Sequence, residues 1–299
     1  MKIGIDLGGS HIAIGVVNNN GIIVEKIEKR LTSVEKKNIK KSIEDYIIEN
    51  VNKLKEKYQI KSVGIAIPGS VDEKTIIKAI NLGLENYDIV NILSEKINLP
   101  IQLCNDAKCA ALAENSYGCL KKYDRSIFLT LGTGIGGAVI IENKLLNTGK
   151  LPGCEFGHMI IQKDGLECNC GRRGCFEKYA SMKALKNNLR QQLGFDERTR
   201  GQELFEMIRD NKIENKNYKI IEDVVNEYIE NLSIGLSNII NIFEPEAIGI
   251  GGSFVFFEEV LMPRLREKIK QYEVFSNIDD IKIETAILGN DAGIIGATC

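Results

Sequence analysis

Residues Ile3–Val24, IGIDLGGSHIAIGVVNNNGIIV, read as a strand, a glycine turn, a second strand, an Asn-rich turn and a third strand. The pattern returns at 127–149, IFLTLGTGIGGAVIIENKLLNTG, where Leu131 and Gly132 stand as Leu7 and Gly8 do and an apolar strand ends at Ile141 as the earlier one ends at Val17. Two hairpins of one design point to an internal duplication.

The segments after the two hairpins agree with this. The first hairpin leads into a helical stretch over residues 34–58, with Ile39, Ile43, Tyr46, Ile47, Ile48, Val51 and Leu54 at helical spacing. Then come a strand SVGIAIPG, a helical piece DIVNILSEKI, a short strand IQLC, and a helix from Ala107 to Tyr117. The second hairpin leads into helices, the longest from about Lys219 to Ile242, then a strand AIGIGG, a helix FFEEVLMPRLREKIKQY, a strand IKIETAIL and a terminal helix. The expectation is an α/β chain of two β-β-β-α-β-α-β-α halves, the second carrying an insertion near 148–218. Two facing halves leave a cleft, where small-molecule sites are favoured.

Composition narrows the function. With 299 residues and 43% hydrophobic content, the chain buries a large core. Lys plus Arg number 39 against 41 Asp plus Glu, which offers no electrostatic footprint for nucleic acid. Asp6 and the glycines interrupt any signal-peptide core, and no uncharged apolar run reaches spanning length, so the expectation is a cytoplasmic protein with no membrane partner. Eight cysteines in that compartment point to thiols or metal ligands rather than disulfides.

Three glycine turns and a few charged residues carry the chemistry. The backbone and hydroxyl of Gly8-Gly9-Ser10 suit phosphate oxygens, and Gly132-Thr133-Gly134 is the equivalent turn of the other half. Either alone reads as an ordinary hairpin turn; together they suggest a phosphate clamp. Neither matches the P-loop or the dinucleotide fingerprint. A third turn, Gly251-Gly252-Ser253, ends a strand and is placed to lie against an adenosine. Asp6 suits Mg²⁺, which is usually carried by one or two carboxylates plus substrate phosphates. Asp106 ends the strand IQLC and opens a helix, so it reads equally as a base at the sheet's ligand-binding rim and as an N-cap. His158, Cys168, Cys170 and Cys175 offer one imidazole and three thiols, a closed set of the kind that suits tetrahedral Zn²⁺, although the C-x-C pair is closer than a usual knuckle.

DLGGS, Asn105-Asp106, LGTGIGG, the run Glu155-Phe156-Gly157-His158, CNCGRRGCFE and IGIGGS together resemble the ROK family of sugar kinases and repressors, in order and spacing over nearly the whole chain. The most specific part is E-x-x-H followed by C-x-C-G-x-x-G-C-x-E. The resemblance implies a duplicated actin-like, hexokinase-like ATPase fold with a zinc-binding insertion. It implies a small lobe of 1–106 plus a C-terminal helix 289–299, and a large lobe of 107–288 carrying the zinc loop 154–177. It implies ATP and Mg²⁺ as reactants, phosphorylation of glucose or another hexose or N-acetylhexosamine, a structural zinc on His158, Cys168, Cys170 and Cys175, and dimers in many members.

By the same resemblance Asp106 is the general base, and Gly69, Asn81, Asn105, Gly134, Glu155, His158 and Glu177 contact the sugar. Asp6, Gly8, Gly9, Ser10, Thr133, Gly134, Gly251 and Gly252 contact the nucleotide. Glu155 and Glu177 compete with Asp106 as bases on residue type alone; the family pattern makes them hydroxyl acceptors. His158 is expected to serve metal and sugar together. The repressor branch carries a helix-turn-helix segment before the first glycine turn, and here the first strand starts at Lys2 or Ile3, so no DNA-binding module is expected. Within the family pattern the chain reads Gly83-Leu84 where Gly-Trp is common, and Ser10-His11 where Thr followed by Lys or Asn is usual, which implies an altered sugar pocket with phosphate binding kept. The rival from another class is a non-catalytic sugar sensor of the same fold.

Overall fold

The computed structural model describes residues 1–146, 154–212, 216–272 and 277–299. The chain opens with β1 (Lys2–Leu7), β2 (His11–Val17) and β3 (Ile23–Arg30), followed by α1 (Ser33–Lys37), α2 (Ile39–Lys57) and β4 (Val63–Ile67). Three short strands β5 (Ser70–Val71), β6 (Ile76–Ala79) and β7 (Leu84–Tyr87) precede α3 (Ile89–Ile97), β8 (Ile101–Asn105) and α4 (Asp106–Tyr117). The second series runs β9 (Arg125–Leu131), β10 (Ile135–Ile141), β11 (Lys144–Leu145), α5 (Glu177–Ala180), α6 (Met182–Leu193), α7 (Gly201–Arg209) and α8 (Tyr218–Phe243). It closes with β12 (Ala247–Gly252), α9 (Glu258–Ile269), β13 (Lys282–Thr285) and α10 (Ala292–Ala297). The beginning of the expected insertion, near residue 148, lies outside the described residues. Among the described residues no helix is long and apolar enough to cross a membrane.

The two large sheets share one plan. Their strand orders are β3-β2-β1-β4-β8 and β11-β10-β9-β12-β13, each a hairpin meander followed by two later strands. In the first, β1 pairs antiparallel with β2 and parallel with β4, which pairs parallel with β8. In the second, β12 pairs parallel with both β9 and β13. The chain divides into two compact units, Met1–Asp124 with Ala138–Cys154 and Ile287–Cys299, and Arg125–Gly137 with Glu155–Ala286. Helix α4 falls within the first unit.

In the first unit the strand alternation assigns two different jobs to the two faces of β1. Ile3, Ile5 and Leu7 enter a core shared with Ile43, Ile47 and Val51 of α2 and Ile89, Leu93 and Ile97 of α3. The opposite face carries small residues. Gly4 pairs with Gly64, and a Cβ on each would stand 1.9 Å and 1.6 Å from the carbonyl oxygens of Ile294 and Ala297 respectively. These positions let α10 lie directly on the sheet. Asp6 shares this face with Gly4, and its rung runs Asp6, Ala66, Cys104 across β1, β4 and β8.

Three local readings change. The single helix expected over 34–58 is two, because Asn38 leaves helical geometry at φ −121°, ψ 48° after the Thr32–Glu35 capping box of α1. The helix expected from Phe256 begins at Glu258 after a 3₁₀ turn. The small sheet β5-β6-β7 was not expected, since its strands are two to four residues long and carry little alternation. It replaces the loop that would otherwise hold Asn81.

A buried carboxylate fastens the helical face of this unit. Glu114 of α4 is fully buried and accepts three backbone N–H bonds, from Ile287 at 2.9 Å, Leu288 at 2.8 Å and Cys119 at 2.9 Å. Glu114→Gln turns one acceptor oxygen into an N–H donor facing an N–H. The expected cost is roughly 1–3 kcal/mol of unfolding free energy, the range for stranding a buried polar group. Chemical denaturation measures it, and an unchanged midpoint would contradict the three-bond account.

Candidate active site

Strand β8 ends and α4 begins at Asn105-Asp106, and the N-cap is Asn105 rather than Asp106. The Asn105 Oδ1 accepts from the amides of Ala107 at 3.0 Å and Lys108 at 3.2 Å, and its Nδ2 donates to the Gly69 carbonyl at 3.0 Å. Its amide therefore offers at most one further N–H to a ligand. The capping alternative raised for Asp106 passes to its neighbour. Asp106 is the first helical residue, half-buried, with one carboxylate oxygen 2.8 Å from the Ala107 amide. Burial holds its carboxyl above the usual range, against the lowering effect of the Ala107 amide, its own amide and the Asn105 side chain.

Asp6 lies on the α10 face of the same sheet. Its carboxyl is pushed up to about 6, first by burial and then by the nearby charge of Asp106, against opposing pulls from His11 and Lys26. Two carboxylates that feel one another at the ends of the parallel strands β1 and β8 of this mixed sheet suit a cation and a proton acceptor. The folded chain holds the Asp6 proton more tightly than the unfolded chain. The penalty for its charge is therefore absent below about pH 4 and grows as pH rises toward 6. Asp6→Asn is expected to raise Tm over the wild type at pH 7.5 and much less at pH 4.5. Equal shifts at both values in thermal melts would rule this out.

The first glycine turn closes with the Gly8 amide donating to the His11 carbonyl at 2.9 Å, and Ser10 and His11 are exposed beside it. A Cβ on Gly9 would stand 3.2 Å from the Asn81 Cβ, so the phosphate-type turn and the Asn81 turn touch. Gly69 has φ +103° and lies against the Lys78 carbonyl, which ties Asn105 to the small sheet that carries Asn81. Gly69, Asn81, Asn105 and the first turn are thereby gathered in one unit. Leu84, read from sequence as bearing on the sugar pocket, is instead buried in the core of that unit.

In the second unit the Gly132–Gly134 turn gathers the other predicted residues. The Gly132 amide donates to the Gly134 carbonyl at 2.9 Å, and Thr133 lies between them. One Glu177 oxygen accepts from the Ile135 amide at 3.0 Å, and a Cβ on Gly134 would meet it at 2.2 Å. Glu177 therefore orders the turn as well as offering its second oxygen. Gly157 fits against the Ile135 carbonyl, which seats the 3₁₀ turn of Phe156–His158 and, before it, exposed Glu155. Gly252, at φ +73°, lies against the Leu131 carbonyl, and the Phe254 amide donates to that same oxygen at 3.2 Å, so the third glycine turn adjoins the second.

His158, Cys168, Cys170 and Cys175 converge, their ligand atoms all within 4.8 Å of one another. The His158 Nδ1 is 3.6 Å from the Cys168 sulfur, and the Cys170 and Cys175 sulfurs are 3.6 Å apart. Ligands about 2.0–2.3 Å from a tetrahedral ion stand roughly 3.3–3.8 Å from each other, so donor type, number and spacing fit Zn²⁺. The scaffold is a small ladder, with bridges Ile160 to Cys175 and Glu167 to Arg173 and a Phe176 amide bond to the Met159 carbonyl at 2.7 Å. Because His158 turns Nδ1 to the cysteines, Nε2 is left for another partner.

Sequence reading missed Glu114, whose role depends on a loop 173 residues away. A sequence model of the ROK family matches residues 2–299. The chain is 32% identical over 310 residues to a glucokinase of Thermotoga maritima, covering 99% of this chain and 95% of that protein. It is 31% identical over 303 residues to a xylose repressor of Caldicellulosiruptor bescii, covering 98% of this chain and 76% of the repressor. Among solved structures, a ROK family glucokinase from Streptomyces griseus in complex with glucose and AMPPNP superposes with a TM-score of 0.79 at 29% identity, covering 99% of this chain and 97% of that one.

Proposed function

The chain belongs to the ROK family, and from that premise we propose that it is an ATP-dependent sugar kinase acting on a hexose, with the 6-hydroxyl of glucose as the first acceptor to test. The observation that carries this is the carboxylate pair: Asp106 freed from capping by Asn105, with Asp6 on β1 of the same sheet. A carboxyl raised by burial and not used for capping is suited to take a proton from a hydroxyl, which phosphoryl transfer requires and sugar binding alone does not. The reading draws further support from the S. griseus relative, which holds glucose and an ATP analogue.

In the reaction the sugar hydroxyl oxygen attacks the γ-phosphorus, the bond from that phosphorus to the β-γ bridging oxygen breaks, and ADP leaves. Asp106 takes the hydroxyl proton, for which its raised pKa makes it a stronger acceptor than an ordinary Asp. The amides of the Gly8–Ser10 and Gly132–Gly134 turns, the hydroxyls of Ser10 and Thr133, and the Gly251-Gly252 turn hold the nucleotide. Asn81, Glu155, the second oxygen of Glu177 and the His158 Nε2 hold sugar hydroxyls. Asp6 would carry Mg²⁺ directly or through water, and that ion would neutralise phosphate charge. His158, Cys168, Cys170 and Cys175 would hold a structural Zn²⁺, whose filled ligand set fixes the loop bordered by Glu155 and Glu177.

The xylose repressor likeness favours a second reading, a sugar sensor that binds without turnover. A coupled ADP-release assay over hexoses and N-acetylhexosamines, with and without Mg²⁺, separates the two. Mg²⁺-dependent ADP release with any of these sugars supports the kinase. Sugar binding by calorimetry with no ADP release from any of them replaces it with the sensor.

A further inference from the structure

Lys186 is a half-buried ammonium on α6 with no carboxylate in ion-pair reach among the described residues. Its Nζ stands 3.5 Å from the Ser253 hydroxyl and 5.3 Å over the Phe257 ring. Burial, with Arg190 nearby, disfavours its charge. A lysine in this position pays for desolvation without a counter-charge, which is costly unless an anion completes it.

The surroundings indicate which anion. The first turn of α6 abuts the second glycine turn, where the Lys183 amide donates to the Gly132 carbonyl at 3.0 Å. Lys186 lies three residues further on, about 4.5 Å along the axis and on the same side of the helix. Ser253, its polar neighbour, closes the third glycine turn, which itself adjoins the second through Gly252 and Leu131. A nucleotide lying from the second turn toward the third passes the ammonium. The Phe257 ring flanks the ammonium on one side, and the Ser253 hydroxyl accounts for one of its three N–H donors, which leaves two for an anion.

We propose that Lys186 binds a phosphate oxygen of the nucleotide diphosphate, acting as a nucleotide-positioning residue on α6. The proposal rests on the nucleotide-binding part of the kinase reading and not on the identity of the sugar. Lys186→Met keeps the apolar stem over Phe257 and removes the charge; Lys186→Gln serves if the first variant does not fold, and Lys186→Arg restores charge. Calorimetry on the full chain compares ADP with adenosine, and steady-state assays compare KM for ATP with KM for sugar. The expected result for the neutral variant is a roughly 10- to 100-fold weaker Kd for ADP, the loss associated with a hydrogen bond to a charged group. Adenosine affinity and sugar KM are unchanged, and Lys186→Arg recovers most of the ADP affinity. ADP affinity within twofold of wild type, or equal losses for ADP and adenosine, overturns the assignment. Wild-type protein that binds no ADP overturns it as well. Wild-type protein that binds ADP but phosphorylates no sugar sinks the kinase reading alone, because the ADP comparison still decides on Lys186.

Discussion

Asp106→Asn is expected to lower kcat by about 10²–10⁴-fold while KM for sugar and ATP moves little, the signature of losing a positioned base rather than a binding contact. The substitution is chosen for what it leaves intact. The Asn oxygen can still accept from the Ala107 amide, which the native carboxylate does at 2.8 Å, and the helix cap belongs to Asn105 in either protein. Fold and local geometry are therefore preserved, and a melt within a few degrees of wild type is part of the expectation. The acid limb of the wild-type kcat profile should lie above the ordinary Asp range of about 3.9, because the folded carboxyl is raised by burial, and that limb should vanish in the variant. Retention of most turnover would transfer the base role to another group. Glu177 is then the less suited candidate, since one of its oxygens is engaged by the Ile135 amide.

Much of this arrangement is visible in the order of the residues because duplication writes the same short pattern twice. A hairpin of apolar alternation with glycines at its bend survives translation from 3–24 to 127–149, and the matching strand orders of the two sheets derive from it. The Cys and His residues were legible for another reason: three thiols and an imidazole within eighteen residues have few joint uses. Roles that depend on which atom of a side chain is already occupied were not legible. Asn105 and Asp106 are both good capping residues, and only the backbone geometry assigns the cap to the first. Glu177 carries one oxygen to a backbone amide forty-two residues earlier, which no spacing rule announces. Leu84 comes after a glycine that looks like a pocket turn, but strand pairing with Ala79 turns its side chain into the core. Short strands such as β5 and β6 owe their existence to partners, not to their own propensity.

Cys170→Ser is expected to abolish stoichiometric zinc, lower Tm, and raise KM for sugar by roughly tenfold or more with KM for ATP much less affected. Cys170 is exposed whereas Cys168 and Cys175 are buried, so exchanging its sulfur for oxygen leaves no cavity and strands no core atom. Any large effect must then pass through the metal. The thiol is also the one most ready to ligate: the Arg172 backbone and side chain hold it down to about 6, while burial and the neighbouring thiols push Cys175 up to about 12. Burial disfavours the Cys175 thiolate, and a divalent ion would stabilise it, so that the loop's order would depend on that ion. The loop runs between Glu155 and Glu177, and it includes His158, whose Nδ1 faces the cysteines. Without the ion that imidazole loses its fixed tautomer, and sugar contacts should fail before nucleotide contacts, because the glycine turns keep their own backbone bonds. Elemental analysis, melts and paired KM determinations on the variant and on chelator-treated wild type test the sequence of effects. A zinc-free protein with wild-type sugar KM would show that the four ligands build the loop without positioning the sugar.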